Sequence, residues 1–139
     1  RVAFGCALRE TRLARSMLDV SDGLAGDLLH ILHASNVSAR VDCDALPLSS
    51  VVLQLPVAQA WQYAVAGGDD YELCFTAPAS TQTRTNVCDL AQKFATPITR
   101  VGTITPMNQR NQVIWHSERA PEVAQRLTCS NGFNHFASH

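Results

Sequence analysis

The sequence predicts a single mixed domain of α/β or α+β type. Short apolar runs of strand length alternate with longer segments whose apolar residues recur at helical spacing. Gly, Pro and Asn punctuate the boundaries between them. Neither an internal repeat nor a low-complexity segment interrupts this order.

Size and composition narrow the class. A chain of 139 residues is long enough to bury a real core. With 46% hydrophobic and 17% charged residues it reads as globular, which argues against disorder and against a membrane protein. The net charge of -1 offers no electrostatic basis for binding nucleic acid. A polyphosphate ligand would therefore need metal ions to supply much of the positive charge. No glycine loop ending in Lys is present, which excludes P-loop nucleotide binding.

Cys6, Cys43, Cys74, Cys88 and Cys129 are odd in number and widely spaced, without a C-x-x-C pair. They read as free buried thiols of a reducing cytoplasm rather than a zinc site or disulfide framework. No signal peptide or membrane-spanning run is visible. The chain opens at Arg1 without a methionine and enters patterned sequence at once, which predicts a fragment.

Taken in order, Arg9 to Arg15 is a charged stretch, a short helix or a loop. Ser16 to Val20 reads as a strand. From Leu24 to Ser35 the stripe Leu24, Leu28, Ile31 and Leu32 predicts a helix, with Ser21 or Asp22 placed to cap it and Asn36 to stop it. Asp27, His30 and His33 fall largely off the stripe. Val37 to Asp42 is a second strand. A stretch punctuated by Pro47 and Pro56 leads to a helix over Val57 to Ala66, closed by Gly67-Gly68 as a glycine cap.

Tyr71 to Ala77 alternates cleanly and predicts a half-buried strand, with Tyr71, Leu73 and Phe75 on one face. A helix follows over roughly Thr83 to Ala95, then a strand from Ile98 to Ile104, a turn at Asn108 to Gln112 and a strand at Val113 to His116. A short helical candidate starts at Pro121. Trp61, Tyr63 and Trp115 read as core residues. His30 and His33, spaced i, i+3, lack the spacing and accompanying Glu of a zinc helix and read as surface or hydrogen-bonded histidines.

Two acidic knots carry the chemistry. Asp19-Val20-Ser21-Asp22-Gly23 lies at the first strand-to-helix junction. If the chain is extended there, three residues put the two α-carbons up to ~10 Å apart, so two neighbouring ions fit more easily than one. Ser21 and nearby N–H groups could hold a phosphate oxygen, and Gly23 lets the backbone approach closely. A helix cap beside a strand-end Asp, with no ligand at all, accounts for the same residues. Gly67-Gly68-Asp69-Asp70-Tyr71-Glu72 is the second knot, read either as a solvated turn or as a place where a ligand reaches Asp69 and Asp70. Phe133 and Phe136 near the C-terminus are either anchors for the tail or an aromatic face for a ligand. No Ser/His/Asp or Cys/His set announces itself, and no residue is singled out as a general acid, base or nucleophile.

Together these motifs resemble one family. Met17-Leu18-Asp19-Val20-Ser21-Asp22-Gly23-Leu24, followed by Asp27-Leu28, is similar to the M-D-[IV]-S-D-G-L…D-L signature of thiamine-monophosphate kinases. Gly67-Gly68-Asp69-Asp70-Tyr71-Glu72-Leu73-Cys74-Phe75-Thr76 resembles that family's G-G-E-D-Y-E-L-x-F-T. Ile98 to Gly102 and Gly132-Phe133-Asn134-His135-Phe136 match its later parts. The resemblance implies a C-terminal domain like that of aminoimidazole-ribonucleotide synthetase, with helices packed on a mixed sheet. It implies a two-domain kinase whose N-terminal ATP-binding domain is absent here, which is a homodimer when complete and cytoplasmic, and whose isolated C-terminal domain is inactive.

The implied reaction converts ATP and thiamine monophosphate to ADP and thiamine diphosphate with Mg2+. Asp19 and Asp22 then correspond to metal ligands, Ser21 to an ATP contact, and Asp69 and Phe133 to substrate contacts. Two departures stand out: Asp69 is a methylene shorter than the family's Glu, and Phe133 replaces Tyr or Trp. The competing expectations are another ATP-dependent synthetase of the superfamily, or a non-catalytic ligand-binding module.

Overall fold

The computed structural model describes residues 1–68, 71–108 and 112–127. Their elements run α1 (Val2–Glu10), β1 (Ser16–Val20), α2 (Leu24–Ser35), β2 (Val37–Asp42), α3 (Val57–Ala66), β3 (Glu72–Thr76), α4 (Thr81–Lys93), β4 (Gly102–Pro106), β5 (Val113–His116) and α5 (Pro121–Arg126). Two 3-10 turns, Cys43–Ala45 and Val52–Gln54, lie in the connection between β2 and α3. The mixed architecture predicted from the sequence is present, but its strands divide between two sheets.

β4, β2 and β5 form a mixed sheet with β2 in the centre, antiparallel to β4 and parallel to β5. Leu28 and Leu32 of α2, Trp61 and Val65 of α3 and Ala124 of α5 pack with Val41, Val113 and Trp115 of this sheet. β1 and β3 make a separate antiparallel ribbon, pairing Met17 with Phe75 and Asp19 with Leu73. α1 and α4 cover it: Phe4 and Leu8 meet Val87 and Ala91, with Met17, Leu73 and Phe75 packed against them. The Phe4 and Phe75 rings meet edge to face at 6.2 Å.

Local signals explain most boundaries. Asn36 closes α2 in the left-handed conformation, φ 52° and ψ 49°, as a helix-stopping Asn does. Ser80 opens α4 by accepting the Thr83 amide at 3.0 Å. Asp44 ties the β2 connection to the start of α5. Its carboxylate accepts from Ser117 Oγ, the Glu118 and Arg119 amides and Arg119 Nε, while the Arg119 guanidinium lies 5.9 Å from the centre of the Trp61 ring.

Several expectations are corrected. The N-terminal segment is helical over Val2–Glu10, earlier than the charged stretch suggests, because Phe4 and Leu8 stand one turn apart on its buried side. The strand expected over Ile98 to Ile104 is Gly102–Pro106, since Ile98 packs instead against the α1–α4 cluster. Tyr71 does not join β3; its φ is +48°, which breaks the alternation before Glu72. Tyr63 is 55% exposed because the buried side of α3 carries Ala60, Trp61 and Val65. Cys43 is buried, but Cys6 and Cys88 face solvent on α1 and α4. Cys129 lies outside the described residues.

Candidate functional site

The first knot leaves the end of β1. Strand alternation buries Val20 and exposes Asp19. The chain then turns through Ser21 and Asp22 to Gly23, which sits at φ 102° and ψ 146° immediately before α2. Gly23, not Ser21 or Asp22, is the N-cap, and no side chain caps this helix end. The reason is Asp27. One turn into α2 and only 6% exposed, it points back so that Oδ2 accepts the amides of Ser21 at 2.8 Å and Asp22 at 3.0 Å.

This changes how the turn could meet a phosphate. The Ser21 and Asp22 amides are engaged inward by Asp27 rather than offered outward. The groups suited to a phosphate are the Ser21 hydroxyl and the amides of the first turn of α2, which a helix leaves without intrahelical partners.

The second knot is delivered to the same place. α3 ends with the Gly67 amide donating to the Tyr63 carbonyl at 2.8 Å. Gly67 has φ -69° and ψ 135°, so glycine is required here for space and not for a left-handed cap. A Cβ on Gly67 would stand 2.3 Å from the Tyr63 oxygen, and one on Gly68 would stand 2.8 Å from the Ser21 oxygen. From the opposite side, a Cβ on Gly23 would meet the Val65 oxygen and the Ala66 carbonyl carbon at 3.0 Å. The Tyr71 amide completes the junction by donating to the Val20 carbonyl at 2.9 Å. Two motifs far apart in sequence are thus closed against each other, backbone to backbone.

Of the sequence-predicted residues, Asp19, Ser21 and Asp22 stand together on this junction, with both carboxylates exposed. Asp69 and Phe133 lie outside the described residues. Glu72, at the start of β3, forms a paired contact with Arg1 at 2.7 Å. Burial and then the Asp27 charge push the Cys74 thiol pKa up. Among the described residues no group of three or more His, Cys, Asp or Glu could hold a metal ion. His30 and His33 are exposed on α2, the first of the two readings given for them.

The sequence reading missed Asp27 as a part of this site. Its signal was available: a carboxylate on the first turn of a helix whose cap is glycine, close in sequence to amides that need acceptors. The chemistry of the junction is that of hard oxygen donors. Two solvent-facing carboxylates and a hydroxyl, on a backbone held tightly by glycines, suit a divalent cation whose remaining ligands come from phosphate and water.

Comparison with known proteins agrees with this architecture. The family model for AIR synthase related protein, C-terminal domain, matches residues 1–114, and the chain belongs to that family. The resemblance to thiamine-monophosphate kinases read from the motifs is borne out by relatives of that name. The one from Haemophilus influenzae is 38% identical over 146 residues, covering 98% of this chain and 40% of the relative. The one from Salmonella typhimurium is 49% identical over 79 residues, covering 56% of this chain and 24% of the relative. The chain therefore spans at most 40% of the length of these two relatives.

Among solved structures, thiamine-monophosphate kinase from Stenotrophomonas maltophilia superposes with a TM-score of 0.73 at 43% identity, over 85% of this chain and 35% of that one. AaThiL complexed with AMPPCP and TMP superposes with a TM-score of 0.60 at 24% identity, over 81% of this chain and 33% of that one, a likeness that concerns the fold alone. No helix among the described residues is long and apolar enough to cross a membrane.

Proposed function

We propose that this chain supplies the C-terminal half of the active site of a cytoplasmic thiamine-monophosphate kinase, which transfers the γ-phosphoryl group of ATP to thiamine monophosphate. The single observation that carries this reading is the closure of the Asp19–Gly23 turn onto Gly67-Gly68. The two motifs most characteristic of the kinases form one surface. An N-terminal domain completes the site, the whole enzyme is a dimer, and this domain alone is inactive.

Magnesium suits the donors present: Asp19 and Asp22 are hard carboxylates facing solvent, and Mg2+ is commonly held by one or two carboxylates with phosphates and waters. When bound, the ion offsets charge on the transferring phosphoryl group. The chain's own residues position the reactants. Asp19 and Asp22 hold the cation end, the Ser21 hydroxyl contacts ATP, and Gly23 and Gly68 keep the two turns in register. With a net charge of -1 this chain brings no surplus of positive charge to a polyphosphate, and the carboxylates are placed to recruit cations. Asp69 and Phe133 contact the thiamine substrate in this reading.

The test is an assay of the full-length enzyme with ATP, Mg2+ and thiamine monophosphate, following ADP and thiamine diphosphate together. Equal release of both products, abolished by omitting Mg2+, is expected. Turnover of a different acceptor, with thiamine monophosphate left intact, would instead identify another ATP-dependent enzyme of the superfamily.

A further inference from the structure

We infer that Asp27 is a positioning residue of the metal–nucleotide site, which it shapes from behind without touching the ligand. The inference rests on the function proposed above.

Three observations lead to it. Asp27 is buried, at 6% exposure, although it is an acidic residue on the first turn of a helix that is not otherwise capped by a side chain. An acidic residue is rarely buried to this degree without partners. Its Oδ2 accepts two consecutive amides, those of Ser21 and Asp22, at 2.8 and 3.0 Å. Those amides belong to the two residues whose side chains the proposed function assigns to the nucleotide and the ion.

The geometry has a direct consequence for the turn. Drawing both amides inward fixes the peptide planes on either side of Ser21, and with them the directions in which the Ser21 and Asp22 side chains leave the backbone. Without Asp27 the amides would turn to solvent, and the Asp22 carboxylate would lose its fixed relation to Asp19 on β1. Loss of such an outer group typically costs roughly 10-fold to 100-fold in metal affinity. Gly23 is part of the same device: at φ 102° it lets the chain reverse so that the helix start passes behind the turn.

Asp27→Ala and Asp27→Asn in the full-length kinase test this, using Mn2+ with ATP as the probe and electron paramagnetic resonance to follow bound Mn2+. Asp27→Ala is expected to weaken Mn2+–ATP binding roughly 10-fold to 100-fold. Asp27→Asn, which keeps an acceptor oxygen, is expected to recover most of that loss. Amide exchange followed by NMR is expected to be slow at Ser21 and Asp22 in the wild type and fast at both in Asp27→Ala. Asp44→Ala is the control, since it removes a carboxylate with more partners, none of them on the turn, and should leave Mn2+–ATP affinity unchanged.

Wild-type-like affinity in a folded Asp27→Ala protein overturns the inference, as does an Asn variant no better than Ala. Should Asp27→Ala fail to fold, rapid wild-type exchange at Ser21 and Asp22 overturns it just as well. A wild-type enzyme that binds no Mn2+–ATP is a different outcome: it sinks the proposed function, while the exchange rates still report whether Asp27 holds the turn.

Discussion

Gly68 lies so close to Ser21 that a Cβ placed on it would stand 2.8 Å from the Ser21 carbonyl oxygen. That carbonyl belongs to the backbone of the turn, so it cannot swing aside as a flexible side chain would. Gly68→Ala is therefore expected to destabilise the protein by about 1–3 kcal/mol, the usual cost of overpacking. It should also raise the Mg2+ concentration needed for half-maximal activity. Urea denaturation and a Mg2+ titration check the two effects separately.

Asp19→Asn and Asp22→Asn should behave in the opposite manner. Both residues are exposed, so each substitution is expected to change stability by less than about 0.5 kcal/mol. Turnover should nevertheless fall by roughly 100-fold or more, as it does when groups that stabilise transition-state charge are removed. A folded variant with unchanged Mg2+-dependent turnover removes that residue from the site.

The Asp44 knot gives a prediction for pH. Burial pushes its carboxyl upward, but hydrogen bonds from Ser117, Glu118 and Arg119 outweigh it and hold the group below its ordinary value of 3.8. A depressed folded pKa adds stability that is present above the unfolded value and is lost as pH falls through the folded one. Asp44→Ala is expected to cost about 2 kcal/mol near neutral pH. The difference from wild type should shrink below pH ~4. Thermal unfolding of both proteins across the acid range measures it.

Cysteine labelling tests the packing of the two layers. Cys6 and Cys88 are exposed and should react with a thiol reagent in the native protein. Cys43 is only 1% exposed, and burial followed by the charges of Asp44 and Asp42 pushes its pKa to about 11. It should be labelled only after unfolding, which peptide mass spectrometry would reveal. Native labelling of Cys43 at the rate of Cys6 would contradict the packing of β2 against α2 and α3.

Much of the fold was legible because burial and periodicity agreed. α2, with Leu28, Ile31 and Leu32 on one side and Asn36 at its end, follows from its pattern alone. Tyr71 and Asp27 were harder, for different physical reasons. Tyr71 takes a left-handed φ because its amide must reach Val20 on a strand distant in sequence, and strand alternation carries no trace of that demand. Asp27 looked like an off-stripe polar residue, whereas its burial depends on the turn that folds back over it. The candidate site was legible as two separate motifs. Their meeting depends on contacts between backbones, at Gly68 with Ser21 and at Gly23 with Ala66, that side-chain patterns do not encode.

The central claim is that the Asp19–Gly23 turn and Gly67-Gly68 form one half of a metal–nucleotide site. Paramagnetic broadening by Mn2+ with ATP, read residue by residue in the amide NMR spectrum of the full-length enzyme, tests it most directly. The prediction is that Asp19, Ser21, Asp22 and Gly68 broaden first and most strongly at low Mn2+, with the effect weakening along α2 through His30 and His33. Broadening centred on His30 and His33, with the two turns unaffected, would contradict it.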